Sequence, residues 1–234
     1  MKDKDLINFT DTKSLMKFLQ EPTVKIAEAL TGILASDFKD WKLSAGKIVQ
    51  AVIKGSLLTQ LGREIEKYQE EGKIKEDYLE SDIDRASFKE LLEFIDEEVP
   101  DEIRFKAIKS IFFSLIVKDI TEDEELLSYQ LMQICKQLSS AEILVLKAVW
   151  DMVNGKMSGF TPSAVTGADM WLSNVAKYLG HNIPNLIEVH ENNLMKLNLI
   201  SGRTYNDRSG IRAGNDFRLT ALGKKMCEFI TKHE

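Results

Sequence analysis

The sequence predicts a mainly α chain: an N-terminal helical bundle over residues 1–138, packed on a C-terminal winged helix-turn-helix with a small two-stranded wing over residues 139–234. Three observations carry that prediction. Apolar residues recur at spacings of three and four in one segment after another, with no alternating strand pattern before residue 198. Helix stops and starts punctuate those segments, among them Pro22, Pro100 and two capping-box patterns. Finally, Pro184 to Leu222 reads as helix, apolar exit, arginine-bearing ribbon and helix, which is the order of a winged helix. An apolar content of 44% over 234 residues suffices for a core without staples.

Taken in order, the first 20 residues offer one short apolar set, Leu15, Met16, Phe18 and Leu19, and predict a helix or arm. Pro22 opens a helix to about Ser36. The longest periodic segment, Leu43 to about Glu71, places Leu58, Leu61, Ile65 and Tyr68 on one face and Arg63, Glu64, Glu66, Lys67 and Glu70 on the other. Gly46, Gly55 and Gly62 within it favour a bend or close helix packing. Phe88, Leu91, Leu92 and Ile95 predict a helix over Asp84–Glu98, ended by Pro100. Asp101 to about Val117 follows with a wide apolar face of Ile108, Ile111, Phe112, Leu115 and Ile116.

Thr121 with Glu124 and Ser139 with Glu142 each have capping-box spacing, predicting two further helix starts. The first of these helices carries the stripe Leu127, Leu131, Ile134 and Leu138. The second, Ala141 to Val153, is apolar nearly all round and therefore buried on several sides, as the first helix of the C-terminal domain. A loop over Asn154–Gly167 leads to a helix at Ala168–Leu179 with Leu172, Val175, Ala176 and Leu179 inward. After the stop at Gly180-His181-Asn182, Pro184 begins a helix with Ile187, His190, Leu194 and Leu197 on its apolar face. Its other face holds Asn185, Glu188, Asn192 and Lys196. Segments Gly202–Tyr205 and Ile211–Leu219 pair as strands across a tip at Asn206, Asp207, Ser209 and Gly210. Phe217 and Leu219 face in, alternating with Arg218 and Thr220.

The run Asn193-Leu194-Met195-Lys196-Leu197-Asn198-Leu199-Ile200, followed by Phe217-Arg218-Leu219-Thr220-Ala221-Leu222-Gly223, resembles the end of bacterial winged-helix regulators of the MarR and PadR kind. In those regulators a leucine-rich run closes the recognition helix and a leucine-threonine-x-x-glycine step opens the final helix. The resemblance implies a fold more strongly than a function. A second likeness is to the abortive-infection-alpha proteins of bacterial phage defence. It rests on Asp123-Glu124-Glu125-Leu126-Leu127, on Gln137-Leu138-Ser139-Ser140-Ala141-Glu142 and on the leucine-rich tail ending in Met226-Cys227. It implies an effector or adaptor.

The residues themselves point away from catalysis. No glycine-rich run cradles a phosphate and no GxSxG elbow presents a nucleophile. His181, His190 and His233 are scattered, and His190 lies on an apolar stripe, so no metal or cofactor is expected. Cys135 and Cys227 stand far apart and read as small core residues, which fits a reducing, cytoplasmic setting. The acidic groups at Asp96–Glu98, Asp101-Glu102 and Glu122–Glu125 fall at helix ends, where first-turn carboxylates complement the helix dipole. The charged N-terminus leads to no apolar run of a signal peptide, and no run approaches the roughly 20 residues of a membrane span.

Binding is the expectation that remains. The net charge of −6 divides into −8 over residues 1–138 (20 Lys and Arg against 28 Asp and Glu) and +2 over residues 139–234 (11 against 9). Only the C-terminal half suits nucleic acid. There Arg203, Arg208, Arg212 and Arg218 cluster on the wing, opposed by Asp207 and Asp216. Guanidinium groups on such a ribbon reach phosphates or a minor groove while the helix, with Asn185, Asn192 and Lys196, enters the major groove. Glu188 and Glu191 on the same helix oppose a phosphate backbone. The expected function is therefore a non-catalytic binding or regulatory module. Its expected partner is a protein or a second copy of the chain, with DNA contact through the wing as the other mode.

Overall fold

In the computed structural model the described residues are 41–74, 81–98, 100–118, 120–156, 168–180, 185–202, 204–207, 210–213 and 218–233. They are mainly helical: α1 (Trp41–Glu70), α2 (Asp82–Glu98), α3 (Glu102–Ile116), α4 (Glu122–Lys136), α5 (Ser140–Val153), α6 (Ala168–Tyr178), α7 (Asn185–Lys196) and α8 (Ala221–Thr231). Two short antiparallel strands, β1 (Thr204–Asp207) and β2 (Gly210–Ala213), lie between α7 and α8. The expected arm and the helix from Pro22, most of the loop 154–167, Arg203 and Arg208 lie outside the described residues. None of the described helices is long and apolar enough to cross a membrane.

Contacts gather the chain into two units. One takes the residues up to Pro100 together with Leu115–Leu126; the other takes Asp101–Ser114 with Leu127 onward. In the first unit, α1 buries Leu58, Leu61 and Ile65, and α2 buries Phe88, Leu91, Phe94 and Ile95. Leu92, expected inward, is half-buried, and Phe94 takes the inner position instead. Lys54 on α1 pairs with Asp96 on α2 at 2.8 Å. Past α1, an antiparallel bridge joins Ile74 to Val117, and the Lys118 N–H donates to the Lys73 carbonyl at 3.1 Å. Ser81, which the periodicity did not single out, starts α2: its hydroxyl accepts from the Asp84 N–H and donates to Glu125 at 3.1 Å. Thr121 and Glu124 form the expected reciprocal cap at the start of α4.

The second unit holds the longer-range ties. Phe105, Ile108, Ile111, Phe112 and Phe113 of α3 are buried together with Ser110 and Ser114. The Ser110 hydroxyl donates to the Phe229 carbonyl at 2.6 Å and accepts from the His233 N–H at 3.1 Å, so the C-terminal helix is tied to α3. Arg104 donates to the carbonyls of Leu138 and Lys136, both at 2.9 Å, satisfying the end of α4. The buried stripe of α4 is Ser128, Leu131, Met132 and Cys135, rotated from the expected one; Leu127 and Ile134 are half-buried. At the start of α5, Ser139 and Glu142 close a complete capping box. That helix buries Ile143, Val145, Leu146, Ala148, Val149 and Met152, as its nearly all-apolar sequence requires, and packs against α6, α7 and α8.

The residues that carried the resemblance have local tasks. Asn198 takes φ +56°; its N–H donates to Met195 and the Leu199 N–H to Leu194, the paired bonds that end a helix with a left-handed residue. The Thr220 hydroxyl accepts from the Gly223 N–H at 2.9 Å and donates to the Asn198 carbonyl at 2.6 Å. Gly223 packs against the chain after α7 so closely that a Cβ there would lie 1.9 Å from the Leu199 carbonyl oxygen. An antiparallel bridge between Ile200 and Leu219 completes the junction.

The ribbon departs from the expected register. Pairing runs from Thr204 opposite Ala213 to Asp207 opposite Gly210, so Asn206 and Asp207, expected at the tip, belong to β1 and Gly210 to β2, while residues 214–217 of the expected second strand lie outside the described residues. The expected alternation of an outward Arg218 with an inward Leu219 is also replaced, because both are buried. Arg218 adopts φ +70°, and a left-handed residue breaks the two-residue period that alternation depends on.

Candidate functional site

The site is best built from α7, whose two faces do different work. Ile187, Glu191 and Leu194 point inward, and His190 is half-buried. Glu191 is only 2% exposed and Arg218 only 3%. Their side chains form an ion pair. The same guanidinium donates twice to the Ser201 carbonyl, from Nε at 2.8 Å and from Nη2 at 2.6 Å, and lies 4.5 Å from the centroid of the buried Trp171 ring on α6. The Arg218 carbonyl in turn accepts from the Ser201 N–H at 2.7 Å. One arginine therefore ties α6, α7 and the segment leaving α7. Burying two charges is tolerable only with this degree of pairing and hydrogen bonding.

That arrangement corrects two sequence expectations. Arg218 is not a surface arginine available to a partner, since its donors are spent inside the fold. Glu191 is not a carboxylate presented beside Asn192, since it is turned inward and neutralised. No sequence spacing links positions 171, 191 and 218, which explains why the constellation was not foreseen.

A second buried carboxylate supports α7 from α5. Glu142, besides closing the cap of its own helix, accepts from Asn193 Nδ2 at 2.9 Å, and His190 Nδ1 lies 4.0 Å from the same carboxylate oxygen. Together with Leu194, these contacts fix the roll of α7 about its axis.

The roll leaves Asn185, Glu188, Val189, Asn192 and Lys196 exposed along the opposite face. Three of the predicted binding residues, Asn185, Asn192 and Lys196, are thus brought onto one surface. Val189 joins them at 70% exposure, the highest among the exposed large hydrophobic side chains of the described residues. The polar-face spacing contains the signal for it, because Val189 falls four residues after Asn185 and three before Asn192. Arg212 stands in β2 opposite Tyr205. Arg203 and Arg208 lie outside the described residues, on either side of β1.

The other chemistry-bearing groups are turned to structure. Burial pushes the thiols of Cys135 and Cys227 up to about 12, far from the range of a reactive thiolate. Asp101 is drawn upward by partial burial, but bonds from Ser140 and from the N–H groups of Arg104 and Ile103 outweigh this and hold its carboxyl below the usual range. It is a helix-start acceptor for α3. Among the described residues no three His, Cys, Asp or Glu side chains are grouped so as to hold a metal ion. Compared with known protein families, curated proteins and solved structures, the chain matches none of them.

Proposed function

We infer that the C-terminal unit is a non-catalytic winged-helix binding module and that its partner is duplex DNA, addressed by the exposed face of α7 with the β1–β2 ribbon as the wing. The observation that supports this reading is the exposed face of α7, which presents Asn185, Asn192 and Lys196 together, while the pairing of Glu191 with Arg218 withdraws one carboxylate and one arginine alike. Among the described side chains, the exposed face holds two carboxamides, one small apolar side chain, one carboxylate and one lysine. A helix that docks into a protein groove uses apolar anchors at i, i+3, i+4 and i+7. Among the described side chains of this face Val189 is the apolar one beside Asn185, Asn192 and Lys196, a composition that suits base edges.

The wing adds charge of the right sign. Arg203, Arg208 and Arg212 against Asp207 give the segment 203–213 a net positive charge. Arginines on a ribbon contact phosphates beside the groove that the helix enters. Residues 1–138, with their net charge of −8, would not share in that contact and would serve regulation or self-association.

The test is binding of the full chain to a mixed-sequence duplex across a salt series, beside an Arg212→Ala variant. Several phosphate contacts give a steep fall of affinity with salt, and the variant reduces the log–log slope by about 1. Absence of binding at low salt would remove the reading. The exposure of Val189 favours a second one, a protein-docking adaptor such as a defence effector, which predicts a stable complex lost on Val189→Asp.

A further inference from the structure

The exposed face of α7 is specific enough to name the class of sequence it would read, and this step rests on the DNA reading above. Asn185, Val189, Asn192 and Lys196 follow one another at intervals of four, three and four residues, forming a single ridge along the helix. At a rise of ~1.5 Å per residue, Asn185 and Asn192 lie about 10 Å apart along the axis. That length matches about 3 base-pair steps of ~3.4 Å each.

The functional groups on the ridge are not neutral between base pairs. A carboxamide offers one donor edge and one acceptor edge together, the pattern that pairs with adenine N7 and N6 in the major groove. Guanine shows two acceptors there and is matched by arginine or lysine. The ridge's cation, Lys196, stands at its C-terminal end, past both carboxamides. Between the carboxamides Val189 presents methyl groups, which fit the C5 methyl of thymine and have nothing comparable to meet on cytosine. Glu142 and Arg218 hold the roll of α7, so the ridge is presented without rearrangement.

We propose that α7 reads a core of about 3 to 4 base pairs rich in A·T from the major groove, with Asn185 and Asn192 on adenines and Val189 against a thymine methyl. Lys196 then meets the adjoining phosphate or a flanking guanine. Discrimination comes from the helix, and affinity comes mostly from the wing arginines.

The experiment compares the full chain on two duplexes of equal length and identical flanks, one with an A·T core and one with a G·C core, at one salt concentration. The expected preference for the A·T core is about tenfold or more, falling severalfold in the Asn185→Ala, Asn192→Ala double variant. Two base analogues separate this from a narrow minor groove read by arginines, which also favours A·T. Uracil in place of thymine removes only the major-groove methyl and weakens the wild type but not Val189→Ala. 7-Deazaadenine removes only N7 and weakens the wild type but not the Asn185→Ala, Asn192→Ala double variant. Equal affinity for the two cores, or a preference untouched by both analogues, overturns this inference and leaves DNA binding standing. No binding to either duplex overturns both.

Discussion

The carboxylate of Glu191 on α7 and the guanidinium of Arg218 form an ion pair in which both side chains are almost wholly removed from water. Removing one partner leaves a buried charge uncompensated, so Glu191→Ala and Arg218→Ala should each cost about 3–5 kcal/mol, read as a lowered urea midpoint. Removing both together is different. Glu191→Met with Arg218→Met should recover most of that loss, giving a coupling energy of at least about 2 kcal/mol in a double-mutant cycle. Additive single effects would show that the two charges do not depend on each other.

The junction after α7 makes a sharper steric prediction. Gly223→Ala brings a Cβ onto the Leu199 carbonyl, a backbone atom that cannot swing aside. The expected loss is about 1–3 kcal/mol, against the gain that glycine-to-alanine usually gives inside a helix. Thr220→Ala removes the cap of α8 and should cost about 1 kcal/mol. Asn198→Gly, at a left-handed position, should be neutral or mildly stabilising. Thermal unfolding of the three variants checks all of these, and a Gly223→Ala chain as stable as the parent would refute the close approach.

Both cysteines should be silent in the folded chain. Burial pushes their thiols up to about 12, so almost no thiolate exists near neutral pH. A thiol-reactive reagent should modify neither cysteine natively and both after unfolding in denaturant. Fast modification of either one in the native state would contradict its burial.

Tyr178 on α6 and Asp151 on α5 give a pH dependence of definite sign. The phenol donates to the Asp151 carboxylate at 2.6 Å, and this bond, with some burial and the carboxylate's charge, holds its pKa above the ordinary tyrosine value. A raised folded pKa means that the stability is fully present below the ordinary value and is lost as pH rises through the folded one. The difference in urea midpoint between the parent and Tyr178→Phe should be constant at neutral pH and shrink in strong alkali. A difference that grew with pH would reverse the assignment.

How much of this was legible beforehand depends on the range of the interaction. Helix starts such as Ser139–Glu142 and Thr121–Glu124 are written in four residues, and the structure forms both caps. The stripe of Leu58, Leu61 and Ile65 was equally plain, since burial of one helix face needs only a local period. Arg218 was not legible. Its role follows from a left-handed backbone angle and from partners on Trp171 and Glu191, none of which has a sequence signature. The exposed ridge was half readable: the polar face pointed to Asn185, Asn192 and Lys196, but the exposure of Val189 depends on how α5 and α6 fix the roll of α7. Leu219, expected on the second strand, bridges Ile200 after α7, a long-range pairing with no local signature, and Phe217 lies outside the described residues.

The central claim is that α7 meets DNA through its exposed face, and two charge reversals of equal size test it most directly. Lys196→Glu places a carboxylate on that face, while Lys89→Glu makes the same change in net charge on the exposed side of α2. Measured on one duplex at one salt concentration, Lys196→Glu should lose affinity by about tenfold or more and Lys89→Glu by less than about twofold. Equal losses would mean that only the overall charge matters, and an unaffected Lys196→Glu would place any DNA contact somewhere other than α7.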